Sequence, residues 1–109
     1  MGPVRAPCPS TRTIRLISNK WAVEILFALA ERPVTRFTDL RRSLGRLTAK
    51  DLTRQLRKLE AAGLISRRVH AEVPPRVDYS LQPMGRTLLA PLEALGRWSE
   101  GWNQELLGG

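Results

Sequence analysis

The sequence predicts a mainly α-helical fold with one small β-hairpin, arranged as a winged helix-turn-helix. Three observations predict it: a basic amphipathic helix opening at Thr48, a glycine stop at Gly63, and an arginine-flanked hairpin segment directly after it. Thr48 can cap the helix with its hydroxyl. Asp51, three residues on, can answer as a short-armed capping box and complement the positive helix end. Leu52, Leu56 and Leu59 recur at i, i+4 and i+7, so one stripe is buried while Lys50, Thr53, Arg54, Arg57 and Lys58 lie away from it. Gly63 stands where a left-handed C-cap is expected, and Leu64-Ile65 opens an extended segment.

The remaining elements follow in chain order. Residues 1–9 carry Pro3, Pro7 and Pro9 and read as an extended arm; residues 10–109 read as a single domain. Ser10 or Thr11 is the expected cap of a first short helix whose apolar positions are Ile14, Leu16 and Ile17. A second helix over about 20–30 places Trp21, Ile25 and Leu29 in one row, with Val23, Leu26 and Phe27 widening the buried face. Its near-continuous apolarity marks it as the core helix, and Pro33 ends it. A third helix begins at Arg36-Phe37-Thr38, with Thr38 as candidate cap and Leu40 and Leu44 pointing inward. Gly45 closes it, and the short turn to Thr48 forces a steep crossing of the two helices. Residues 64–73 and 77–81 are rich in β-branched and alternating residues and form the wing, with Pro74-Pro75 between them. Pro83 suits the first turn of a terminal helix over 83–107, and Pro91 inside it is expected to kink it near Ala90.

Charge placement narrows the partner. The 109 residues carry a net charge of +8, and 11 of the 18 Lys and Arg against 4 of the 10 Asp and Glu fall between Arg36 and Arg76. Nearly all of the excess thus sits on the helix-turn-helix and wing, where a merely solvated surface would spread it, so the expected partner is a polyanion. Arg46, Thr48, Lys50, Thr53, Arg54, Arg57 and Lys58, with Arg36 ahead of them, are the candidates for major-groove edges and phosphates. Arg67, Arg68 and Arg76 flank the hairpin, where arginines enter the narrow minor groove. Double-stranded DNA is therefore the expected ligand, and transcriptional regulation the expected role.

Other classes find little support. Asp39, Asp51, Glu60 and Glu72 read as caps and surface positions, His70 has no nucleophile partner, and there is no glycine-rich phosphate loop, so no catalytic residue is assigned. One cysteine and one histidine leave no disulfide framework, no metal cluster and no cofactor to propose. The amino-terminal stretch lacks the apolar core of a signal peptide, and no apolar run approaches the ~18 residues of a membrane span, so the expectation is a soluble, cytoplasmic chain. The alternative to promoter binding is a winged-helix module for protein or RNA. RNA binding favours exposed aromatics for base stacking, and the basic segment offers only Phe37 and Tyr79, which read as core or hinge positions.

The terminal helix carries Leu88, Leu92, Leu95, Trp98 and Trp102 at three- and four-residue steps, an apolar stripe beyond what one small core uses. Together with Ile14 it is expected to form a dimer interface with a second copy. A two-fold dimer would read a pseudo-palindromic operator. No residue pattern identifies a small effector.

Taken together these segments resemble the HxlR-type winged helix-turn-helix regulators of bacteria, relatives of the MarR group, over nearly the whole chain. The pieces that carry the resemblance are Cys8-Pro9, Lys20-Trp21, Arg36-Phe37-Thr38-Asp39-Leu40, Leu56-Arg57 with Leu59-Glu60, Gly63-Leu64-Ile65, Val73-Pro74-Pro75-Arg76-Val77, Tyr79-Ser80-Leu81 and Gly85. The chain departs from the pattern at Ser18-Asn19, where the family usually has Gly-Gly. It departs again at Arg46, which replaces a glycine and is read as an extra phosphate contact, and at Gln82, where the usual Thr would cap the last helix. The resemblance implies a homodimer. It also implies that Cys8 is a candidate redox or electrophile sensor, and the basic residues Arg5, Arg12 and Arg15 near it favour the reactive thiolate; the alternative is an inert thiol that packs the arm onto the core.

Overall fold

The computed structural model describes residues 9–19 and 21–106. Its elements are α1 (Pro9–Ile17), α2 (Ala22–Ala30), β1 (Thr35–Arg36), α3 (Phe37–Ser43), α4 (Ala49–Ala61), β2 (Ile65–His70), β3 (Arg76–Leu81), α5 (Pro83–Gly101) and α6 (Asn103–Leu106). The strands form an antiparallel sheet in the order β1-β3-β2. The expected arm includes Pro9, yet Pro9 is already the first residue of α1. A proline fits there because the first-turn amide it lacks would have no helical partner. Cys8 and the rest of the arm lie outside the described residues.

The two departures from the family pattern around α2 and α5 have different outcomes. Asn19 Oδ1 accepts from the amides of Trp21 and Ala22 at 3.0 and 2.9 Å, and Ser18 Oγ donates to the Arg15 carbonyl at 3.2 Å. Side chains thus satisfy α2's first orphan donors where a Gly-Gly turn would have none to offer. At Gln82 the expectation holds, since no side chain caps α5.

The third helix begins differently from its reading in the sequence. Thr38 is inside α3 and Arg36 is the residue at its N-cap, with no side-chain cap. The reason is tertiary: Thr35 and Arg36 pair with Tyr79 and Asp78, so the segment ahead of α3 is spent as a strand. Two residues are too few for alternation to announce.

α4 is held at both ends. Thr48 Oγ1 accepts from the Asp51 amide at 3.1 Å. At the other end Gly63 has φ 83°, Gly63 N–H donates to Glu60 O at 2.9 Å, and Leu64 N–H donates to Leu59 O at 3.1 Å. That pair of bonds is the Schellman arrangement, and the positive φ is why glycine stands there. Between the caps, Leu52, Leu56 and Leu59 are buried in the same core as Leu26, Leu29 and Leu40. The turn from α3 is short and anchored, with Leu44 and Leu47 buried and joined by a 2.9 Å bond. These contacts fix the helix rigidly enough to present its other face.

α5 runs through Pro91 without interruption and ends at Gly101; the chain then re-forms as α6, so the terminal helix expected over 83–107 is two elements. Gly85 sits where a Cβ would overlap the Leu64 carbonyl and approach Leu81 Cδ1 at 2.8 Å, so this glycine is required by the close approach of α5 to the connection between α4 and β2.

Candidate nucleic-acid interface

The outward face of α4 carries Lys50, Arg54, Arg57 and Lys58 exposed to solvent, with Thr53 half-buried between them. Phe37, at the start of α3, lines a concavity of about 580 Å³ together with these same residues and Ala49. Thr53, Arg57 and Phe37 also line a second groove of about 310 Å³ that continues between α4 and the sheet to Glu60, Arg67, Val77 and Tyr79. The Phe37 and Tyr79 rings meet at 6.5 Å and 46°, and Tyr79 is buried. Neither ring is thus presented as an open stacking platform.

Among the described residues, the only acid paired with the α4 cations is Asp51, whose carboxylate lies 3.9 Å from Arg54. Both side chains are about half exposed, so the pair is worth only a few tenths of a kcal/mol and gives way easily to a phosphate. Asp51 therefore turns to Arg54 instead of completing the capping box. The Thr48 hydroxyl is used as an acceptor, which leaves its proton for a phosphate oxygen. Arg46 is exposed in the turn and Arg36 is exposed at the head of α3.

On the wing, the arginines divide by strand parity. Arg67 is opposite Tyr79 and faces α4, whereas Arg68 is opposite Asp78 on the other sheet face. Arg76 is engaged within the wing. Its guanidinium reaches Glu72 at 3.7 Å, Asp78 at 3.5 Å and His70 Nε2 at 3.3 Å, and it is partly buried. It is part of the wing's framework, so a base or phosphate would have to compete with these partners for it. The sequence reading missed Asp78 and the role of His70. The available signal was the two-residue spacing of Arg68 and His70, and of Arg76 and Asp78, which places each pair on one face of a strand.

The residues expected at a dimer interface also divide. Leu92 is only 9% exposed and belongs to the chain's own core, and Leu88 packs against it. Ile14, Leu95, Trp98 and Trp102 remain more than half exposed. Among the described residues, no helix is long and apolar enough to cross a membrane.

Comparison with known proteins places this geometry. A family model described as HxlR-like helix-turn-helix matches residues 16–106. The chain belongs to the HxlR-like helix-turn-helix family. It is 44% identical over 90 residues to the HTH-type transcriptional regulator BH0655 of Halalkalibacterium halodurans, covering 83% of this chain and 80% of that one. It is 40% identical over 93 residues to the HTH-type transcriptional regulator YtfH of Escherichia coli K12, covering 85% and 73%. Among solved structures, the reduced form of the redox regulator HypR superposes with a TM-score of 0.81 at 34% identity, over 94% of this chain and all of that one. As an HxlR-like protein, the chain is a helix-turn-helix transcriptional regulator with a winged-helix fold, in a family of regulators and not of enzymes.

Proposed function

We propose that this regulator acts as a homodimer on duplex DNA, reading a pseudo-palindromic operator with α4 in the major groove and the β2–β3 hairpin against the neighbouring minor groove. The observation that carries the reading is the exposed basic face of α4, capped at both ends and anchored by its leucine stripe. Arg36, Arg46, Thr48, Lys50, Thr53, Arg54, Arg57 and Lys58 act on bases and phosphates, with Arg67 and Arg68 from the wing. The second copy covers Ile14, Leu95, Trp98 and Trp102, and the two recognition helices then meet successive major grooves about one turn, ~34 Å, apart. A protein-binding module is disfavoured by the basic face, and an RNA-binding one by the burial of Tyr79 and partial burial of Phe37. Titration of fluorescent duplex DNA, single-stranded DNA and an RNA hairpin at matched salt tests the ligand class. Duplex DNA should bind tightest and with a steep salt dependence; tighter binding of the single strand or the RNA contradicts the reading.

Regulation through Cys8 is a second reading, favoured by the likeness to a protein named as a redox regulator. Cys8 is the only thiol in the chain, so oxidation ends in a disulfide with a second copy, a mixed disulfide or an adduct. Peroxide or a quinone should change the DNA affinity of the wild type and leave Cys8→Ser unchanged. Equal responses of the two proteins remove Cys8 from the mechanism.

A further inference from the structure

One carboxylate lies at the centre of the wing. Asp78 is in the middle strand, with Arg36 of β1 and Arg68 of β2 as its register partners on either side. Directly paired residues of antiparallel strands project to the same face, and so do residues two apart in one strand. Arg36, Arg68, His70, Arg76 and Asp78 therefore share one sheet face, opposite the face on which Arg67 and Tyr79 meet α4. Asp78 is only 9% exposed, and a carboxylate removed from water persists only when it is paired.

The pairing is one-sided. Asp78 Oδ2 accepts from His70 Nε2 at 2.8 Å, and Asp78 Oδ1 lies 3.5 Å from Arg76 Nε, an ion-pair contact in which neither buried atom makes a hydrogen bond. Because the short contact to a carboxylate places the imidazole proton on Nε2, the 3.3 Å approach of Arg76 Nη2 to the same nitrogen is a contact and not a second hydrogen bond. His70 and Arg76 are themselves register partners, the last residue of β2 and the first of β3, so Asp78 ties together the two residues that bracket the loop over 71–75. Arg76 extends the tie into the loop through Glu72 at 3.7 Å, and the Glu72 amide donates to the His70 carbonyl at 2.8 Å. By contrast, no ion pair among the described residues engages Arg36 or Arg68, and both are exposed.

We infer that Asp78 is a positioning residue for DNA binding: through His70 and Arg76 it sets the base of the wing loop and leaves Arg36 and Arg68 free on either side of the wing to take phosphates flanking the minor groove. The inference rests on the duplex-binding reading. Two inter-strand steps of about 4.8 Å separate the Arg36 and Arg68 backbones by nearly 10 Å, enough for the two side chains to straddle a minor groove about 6 Å wide. The arrangement also answers an electrostatic difficulty. A bare carboxylate between two phosphate-binding arginines would compete with DNA for both of them, and here its charge is taken up on the loop side.

The test uses a duplex enriched by the wild-type protein from a random pool, with affinity measured across a salt series. Each lost phosphate contact lowers the salt slope by about 0.9, so the Arg36→Ala, Arg68→Ala double variant, which removes two contacts from each of the two chains on the duplex, should lose about three to four units. Asp78→Asn should lower affinity about tenfold and reduce the slope, while hydroxyl-radical protection by α4 persists and protection beside the wing weakens. Asp78→Glu, which restores the charge, should recover most of the affinity. Added to the double arginine variant, Asp78→Asn should cost little more, which separates positioning from a general loss of stability. A wild-type salt slope in the double arginine variant overturns the inference, as does a full additive loss from Asp78→Asn in that background. If Asp78→Asn does not fold, the double arginine variant and Asp78→Glu decide. A pool that yields no enriched duplex overturns the duplex-binding reading and this inference with it. A duplex that depends on Arg54 but is indifferent to Arg36, Arg68 and Asp78 overturns this inference alone.

Discussion

At the scale of single residues, the chain separates positions where chemistry is dictated by neighbours from positions where it is free. Gly85 and Gly96 both lie in α5, yet a Cβ at Gly85 would overlap the Leu64 carbonyl, whereas one at Gly96 meets nothing within 4 Å. Backbone cannot yield as a side chain can, so Gly85→Ala should destabilise the fold by about 2 kcal/mol. Gly96→Ala should stabilise it by about 0.5–1 kcal/mol, because alanine loses less conformational freedom in a helix. Chemical denaturation of the two variants checks both signs, and a stable Gly85→Ala protein would mean that α5 does not approach the Leu64 backbone so closely. Residue-level chemistry of this kind was legible where it is local. Thr48, Gly63 and Pro83 each act within one turn of their own position, and their roles could be read from spacing alone. Arg76 could not, because its partners are decided by the register of two strands, and Asp78 becomes visible only once that register is known.

At the scale of elements, a division of labour within α4 explains why a basic helix is tolerated in a small domain. Its Leu52, Leu56 and Leu59 face is fully buried, while the cations opposite have only one acid near them, at a distance and exposure that make the pair weak. Substituting Arg54 and Arg57 by alanine should therefore cost little stability and about 1–3 kcal/mol of duplex affinity each, with relaxed sequence preference at a base-reading position and a lower salt slope at a phosphate position. Arg86→Ala and Arg97→Ala, on the exposed surface of α5, should change affinity much less. Equal, negligible effects at all four positions would refute the assignment of α4. The existence and order of the long elements followed from periodicity, since a 3.6-residue stripe over 13 residues is hard to mistake. β1 was not legible, because two residues show no alternation and their strand character comes only from β3. Pro91 lies inside α5 as expected, and the helix continues through it, because one missing amide does not end a helix whose Leu88 and Leu92 pack on the core.

At the scale of the whole molecule, the stripe on α5 divides between two tasks. Its first half, at Leu88 and Leu92, closes the chain's own core, and its second half, at Leu95, Trp98 and Trp102, is exposed together with Ile14. Sequence spacing showed one continuous stripe because it cannot reveal where the helix leaves the body of the domain. Exposed tryptophans in the last turn of α5 and at its C-cap are a surface that a second copy can bury, and a two-fold pair of chains is what a pseudo-palindromic operator requires. The central claim, that two copies act together on one duplex, is tested most directly by the mass of the protein–duplex complex in sedimentation velocity, with the protein at micromolar concentration and the selected duplex as ligand. Two chains per duplex, formed from a protein that is already dimeric without DNA, is the predicted result; a monomer both free and on the duplex would contradict it.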